Sequence, residues 1–349
     1  MRLVSNQVLL DYSSVLLRPR NTVLTSRSQV SLVRPFTKFP NCATTQWKGI
    51  PIMVANMDTT GTFEVHNEVN KYGMLTMLHK HYPVKNIVDY YQNNKENTSN
   101  LGISTGIADR DIVKLREIQA SGITPTFINI DVANGYMVAL TDYTKQIRAM
   151  FPQSILIAGN VVTGDRTKQL ITEGLVDIVK VGIGPGAACL TRQKAGVGIP
   201  QLSAVDDCAI AAHEVGGYII ADGGITCPGD MAKAFCAGAD FVMCGSVFAG
   251  HYENPGEMIE ENGRKYKMFY GMSSGHAMKK YAGKKAEYRS SEGRVIKVPL
   301  KGHIKETIED YLGGVRSCCT YINAASVIDM PECGDFVLVQ NQLNTSLVR

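Results

Sequence analysis

Eight short apolar runs recur along this 349-residue chain: PIMVA (51–55), MLTML (74–78), LGIST (101–105), FINID (127–131), ILIAG (155–159), DIVKV (177–181), YIIAD (218–222) and DFVMC (240–244). Most begin 22–28 residues apart, and helix-compatible stretches such as DRDIVKLREIQASG and TKQLITEG lie between them. Continuous apolar strands alternating with helices imply parallel strands covered on both faces. Eight such units in roughly 250 residues imply an α/β fold closed into a (β/α)8 TIM barrel, with a doubly wound open sheet as the alternative.

Polar and glycine-rich residues follow the runs at one end: NMD, HKH, TG, VANG, NVVTG, GIGPG, GGI and GS. These are C-terminal strand ends, where barrel enzymes build their sites. Two intervals break the rhythm. The sixth and seventh runs start 41 residues apart and enclose GIGPGAACLTRQKAGVGIPQLSA. After the eighth, residues 251–312 read as a long flap insertion, rich in Lys, Arg, Gly and Ser with little apolar periodicity. Loops of that length in a compact domain are usually functional. Residues 83–100 are too short to hold an inserted domain, so one barrel domain is expected over 1–349, without a CBS regulatory domain.

The formal net charge is +4 with no long basic run, which gives nucleic acid no obvious docking surface. Nine cysteines occur without a C-x-x-C pair or zinc-ligand spacing, as expected of a reducing compartment. No run of 18 apolar residues and no leader pattern is present. A cytoplasmic protein without membrane spans is the expectation.

Cys189 lies in the glycine-rich loop after the sixth run, two residues before Thr191 and three before Arg192. Most cysteines are small buried hydrophobes. Here the loop position, the exposed backbone of GIGPG and a nearby cation favour a nucleophile. ADGG (221–224) and CGS (244–246) follow the seventh and eighth runs, the recurrent phosphate position of this fold, so a phosphorylated substrate is expected.

The segments ANMDTTGTFE, HKHY, DVANGY, AGNVVTG, KVGIGPG with Cys189 and Thr191-Arg192, PQLSA, the DGG-to-FVM stretch, FYGMSS and EYR with SEG occur in one order from about residue 10 to 325. Together they resemble the GMP reductases, close relatives of IMP dehydrogenase. The resemblance implies NADPH-dependent reductive deamination of GMP to IMP and ammonia. Cys189 would attack purine C2 and form a thioimidate, with Thr191 and Glu292 protonating the departing amine and Lys80 and Asp131 also in catalytic positions. GMP would lie on Asp222, Gly223, Gly224, Gly245 and Ser246, with its base on Gly271, Met272, Ser273 and the stretch Arg289, Ser290, Ser291, Glu292 and Gly293. NADPH would contact Ser26, Arg27, Lys80, Asp131, Val132, Ala133, Ile183, Gly184 and Met272, with Tyr288 and Arg289 closing over it. No GxGxxG opens a helix, so a Rossmann unit is not expected. The resemblance further implies a monovalent cation, K+, at Gly184, Gly186, Cys189 and Arg192, and a homotetramer.

Three positions depart from the family pattern: Ala187 where a serine is common, Leu190 for a threonine, and Gly245-Ser246 in the dehydrogenase manner. An IMP dehydrogenase lacking its regulatory domain is the alternative. Its flap base is an Arg-Tyr dyad, whereas this chain reads Tyr288-Arg289 followed by Ser-Glu-Gly. A binding-only protein would not need Cys189, Thr191 and Glu292 together, and a flavin-dependent barrel would need neither the cysteine loop nor the flap.

Overall fold

The computed structural model describes residues 7–42, 45–282 and 292–340. Eight parallel strands form a closed barrel: β1 (Ile52–Val54), β2 (Leu75–Met77), β3 (Leu101–Thr105), β4 (Phe127–Asp131), β5 (Ile155–Val161), β6 (Ile178–Val181), β7 (Tyr218–Asp222) and β8 (Phe241–Cys244). Each pairs with its sequence neighbour, and β8 closes on β1 through Val242↔Ile52, Met243↔Met53 and Cys244↔Val54. All eight apolar runs are therefore barrel strands, and the open-sheet alternative is excluded.

Side chains alternate along each strand. Met53, Ala55, Leu75, Met77, Phe127, Ile155, Ile157, Ile178, Ile220, Phe241 and Met243 fill the interior. Their neighbours Val54, Ile128, Ile130, Leu156, Val179, Val181, Ile219 and Val242 face the helical ring. The barrel floor comes from a segment the sequence reading did not assign. Arg34–Phe36 pairs antiparallel with Trp47–Gly49. That hairpin stacks Phe36 on Phe241 at 4.4 Å and sets Trp47 edge-on to Phe127 at 6.0 Å. Trp47 donates its Nε1–H to Asn100 Oδ1 at 2.8 Å, so the buried indole keeps a partner. Each fully buried side chain of this size contributes roughly 1.5–3 kcal/mol.

The helix Pro228–Cys236 shows how local chemistry aims a loop at the site. Proline in its first turn lacks an N–H where none would be bonded and presets φ. The Asp230 carboxylate accepts from Thr226 N at 3.0 Å and Thr226 Oγ1 at 2.7 Å, which ties the preceding glycine loop to the helix.

The flap differs from its expected form. Ile259–Glu261, Arg264–Tyr270 and Val295–Pro299 make a three-stranded antiparallel sheet, and the helix Gly275–Ala282 follows the middle strand. Its expected end at 312 is also too late, because Ile304–Ile322 is already a long helix. Ile304, Ile308, Tyr311, Leu312, Val315, Cys319 and Ile322 form its buried stripe. The spacing of three and four is the helical period that packs one face against the barrel. Among the described residues, no helix is long and apolar enough to cross a membrane.

Candidate active site

The barrel's alternation decides what stands at its C-terminal mouth. Asp131, Lys180 and Asp222 continue the inward rows begun by Phe127, Ile178 and Ile220. Lys180 Nζ lies 2.5 Å from Asp131 Oδ1 and 2.9 Å from Asp222 Oδ2, with only 3 % of the side chain exposed. Asn160 Nδ2 donates to the same Asp222 oxygen at 2.8 Å and to Gly182 O at 2.8 Å. Asn56 Nδ2 donates to Asp131 Oδ2 at 3.1 Å. Burial opposes both charged forms, but the pairing prevails. It holds Asp131 below the ordinary carboxylate range and Lys180 above the ordinary amine range.

Above this network lies a cavity of about 390 Å³. On one side are the glycine loops. Gly223 and Gly224 have φ of +92° and +81°, the left-handed conformation that glycine takes without a Cβ penalty. Gly182 is equally constrained, since a Cβ there would lie 2.2 Å from Asp222 O. Gly245 and Ser246 face the cavity from the β8 loop. Behind them Lys301 donates to Ser246 O at 3.2 Å and Val247 O at 3.1 Å, adding positive charge beside the loop. Glycine-rich backbone with a cation behind it suits a phosphate.

On the opposite side Lys80, Asp131, Val132 and Ala133 line the cavity, with Ile183, Gly184 and Gly186 from the cysteine loop. Burial pushes the flanking His79 and His81 down to about 4, repulsion by Lys114 adds to both shifts and repulsion by Lys80 to that of His81, so both rings are neutral near pH 7. Lys80 is therefore the cation of the HKH turn.

Between the two sides stands the thiol of Cys189. Cys189 Sγ lies 3.3 Å from Thr191 Oγ1, which donates to Glu292 Oε2 at 2.6 Å. The flap is stitched to the cysteine loop on both sides of this chain. Leu190 N donates to Glu292 O at 2.6 Å and Arg294 N to Ala188 O at 3.0 Å. Arg294 Nε donates to Ala187 O at 2.7 Å. Gly293 bridges both Cys189 and Ser274. A thiol, a hydroxyl and a carboxylate in hydrogen-bonded series can pass a proton between bulk acid–base groups and a reacting atom at sulfur.

Residues 9–345 match the family whose description is IMP dehydrogenase / GMP reductase domain. The chain belongs to this family. Among its relatives, human GMP reductase 2 is 50% identical over 341 residues, covering 98% of this chain and 97% of the relative. Human GMP reductase 1 is 50% identical over 336 residues, 96% of each chain. The GMP reductase of Vibrio parahaemolyticus is 47% identical over 342 residues, 98% of this chain and 97% of the relative.

Against the IMP dehydrogenase/GMP reductase expectation, the structure brings eighteen sequence-derived positions to one cavity. Cys189, Thr191, Glu292, Lys80, Asp131, Val132, Ala133, Ile183, Gly184, Gly186, Asp222, Gly223, Gly224, Gly245, Ser246, Gly271, Met272 and Ser273 all line it. Gly293 adjoins it through the two bridges. Ser26 and Arg27 do not line it. Ser26 caps an exposed 3-10 turn, Arg27–Gln29, that packs beside the helix Ile304–Ile322. Arg192 turns its guanidinium away to Asp11 Oδ2 at 3.1 Å and Ile199 O at 2.7 Å. Tyr288, Arg289, Ser290 and Ser291 lie outside the described residues. Sequence reasoning missed Lys180, Asn160 and Asn56. Lys180 had a readable signal: it is a lone charge on an inward position of an otherwise apolar strand.

Proposed function

We propose that this protein is an NADPH-dependent reductase that converts GMP to IMP and ammonia. The hydrogen-bonded series Cys189–Thr191–Glu292 carries this reading. It spans the mouth of a cavity with phosphate-suited loops on one side and Lys80 with Asp131 on the other. Relatives at 47–50% identity named GMP reductase support it over the dehydrogenase alternative.

The phosphate of GMP lies on Gly223–Gly224 and Gly245–Ser246, and Asp222 holds the ribose hydroxyls. Lys180 and Asn160 both donate to that carboxylate and hold it in place. Met272 and Ser273 support the base. Cys189 sulfur bonds to purine C2 while Glu292, through Thr191, delivers a proton to the amine, which leaves as ammonia. The C2 thioimidate remains on Cys189. NADPH, when bound, would supply hydride to that carbon, and breaking of the carbon–sulfur bond would return Cys189 as the thiolate and release IMP. Over the cycle GMP, NADPH and two protons become IMP, NADP+ and ammonium. Lys80 and Asp131, with Val132 and Ala133, are the cavity groups available to orient the cofactor.

A monovalent cation such as K+ belongs to the same proposal. Backbone carbonyls of the loop that carries Gly184, Gly186 and Cys189 are the hard oxygen donors such an ion takes. Arg192 could add only its carbonyl, because its side chain is committed elsewhere. A homotetramer and a cytosolic location complete the reading, and nine free cysteines agree with a reducing compartment.

The decisive assay follows absorbance at 340 nm with GMP and NADPH while ammonia is measured. Matched loss of NADPH and gain of ammonia supports the reading. NADH formation from IMP and NAD+ with silence toward GMP would overturn it. Glu292→Gln tests the division of labour. Ammonia release from GMP is expected to fall at least about 100-fold, the scale of a lost general acid, while adduct formation from IMP and NADP+ falls less than about tenfold. Equal losses in both reactions would remove the special role of Glu292.

A further inference from the structure

Outside the reacting series, one buried carboxylate is bonded almost entirely to the flap. Asp58 follows the β1 loop residues Asn56 and Met57, and only 1 % of its side chain is exposed. Its Oδ2 accepts from Tyr270 Oη at 2.7 Å, Lys280 Nζ at 2.8 Å and Tyr281 Oη at 2.6 Å. Oδ1 has no hydrogen-bond partner among the described residues. Burial opposes the charge, yet the bonds from Lys280, Tyr281 and Tyr270 hold the carboxyl below its ordinary range.

The three donors bracket one stretch of chain. Tyr270 ends the middle flap strand, and Lys280 and Tyr281 occupy the last turn of the helix Gly275–Ala282. Between them lie the cavity residues Gly271, Met272 and Ser273. Ser274, next in line, pairs with Gly293, which pairs with Cys189. Tyr281 is held from its other face as well, stacked on the His81 ring at 3.5 Å and 6°. Asp58 touches no reacting group itself. Its bonds fix both ends of the segment on which Gly293, and so Glu292, rests.

We propose that Asp58 is a positioning residue that latches the flap to the barrel and thereby sets Glu292 over Thr191 and Cys189. The kinetic part of this proposal rests on the GMP reductase reading. The covering of Cys189 by the flap does not, and the test uses both.

In the full-length protein, Asp58→Ala is expected to raise the rate at which iodoacetamide modifies Cys189, followed peptide by peptide, at least about fivefold through local opening. Exposed Cys227 should react at its wild-type rate, and Cys208, buried in the helix Gln201–His213, should stay unmodified. Turnover of GMP should fall about 10- to 100-fold, as for losing charge-assisted bonds that align a catalytic group. Asp58→Asn keeps an acceptor and should lie between wild type and alanine in both readouts. If Asp58→Ala fails to fold, Tyr281→Phe combined with Lys280→Met removes two donors from the flap side and should show the same pattern. Wild-type alkylation of Cys189 together with kcat within about twofold of wild type in these variants would overturn the latch. Wild-type protein inert toward GMP would instead defeat the functional reading, while the alkylation rates would still judge the latch.

Discussion

Replacing Cys189 with alanine is expected to abolish GMP turnover, by at least about 10⁴-fold, while GMP affinity stays within about tenfold of wild type. The asymmetry follows from where the sulfur acts. In the proposed mechanism its bond to C2 exists only along the reaction path, whereas Asp222 and the glycine loops are the groups proposed to hold the ground-state nucleotide. Nothing structural should be lost, because Cys189 is tied in by backbone groups. Its N–H donates to Gly186 O at 2.9 Å, and its bridge to Gly293 is a main-chain pairing. Calorimetric titration with GMP, beside the 340 nm assay, reads both quantities. Residual turnover above a hundredth of wild type would rule out covalent catalysis by this thiol. GMP binding lost altogether would mean that the residue builds the pocket rather than attacking from it.

What could be read before the structure divides along the range of the interactions. The barrel was legible because a strand covered on both faces must be apolar throughout, and that demand repeats at each of the eight runs. The glycine loops were legible because left-handed backbone at Gly223 and Gly224 has a residue-type signature. Glu292 had none: it meets Thr191 across 101 residues, and a lone carboxylate on a polar loop looks like any surface charge, so only resemblance singled it out. The floor hairpin escaped for a related reason, since RPF and WKG are too short to show a period. The flap was read as irregular because no residue of Ile259–Glu261 or Val295–Pro299 is buried, so neither strand carries the apolar alternation that burial on one face imposes. Ser26 and Arg27 came from resemblance alone, and in this chain they stand apart from the cavity.

Lys180→Met should produce the largest loss of stability among changes at this site, about 3–5 kcal/mol, because it strips the counter-ion from two carboxylates. A methionine matches the lysine stem in length, so packing at the barrel mouth is nearly conserved and the effect is electrostatic. In the wild type one ammonium lies between Asp131 and Asp222 and bonds to both. Without it they repel, and one must take a proton, so its folded-state pKa rises above the unfolded value of about 3.9. The sign of the pH dependence follows. A carboxyl with a raised folded pKa binds more protons folded than unfolded, so the variant gains relative stability as pH falls and loses it as pH rises through the new pKa. Thermal melts from pH 8 to 5 should therefore show the gap between variant and wild type narrowing toward acid. Adding Asp131→Asn, which removes one of the repelling charges, should restore part of the stability at pH 8. GMP and NADPH affinities should both fall in the single variant, because the same ammonium bonds both Asp222, proposed to hold the nucleotide, and Asp131, proposed to orient the cofactor. A gap that stays constant with pH, or a second substitution that only adds to the damage, would mean that Lys180 acts through packing and not as the charge that joins the two halves of the site.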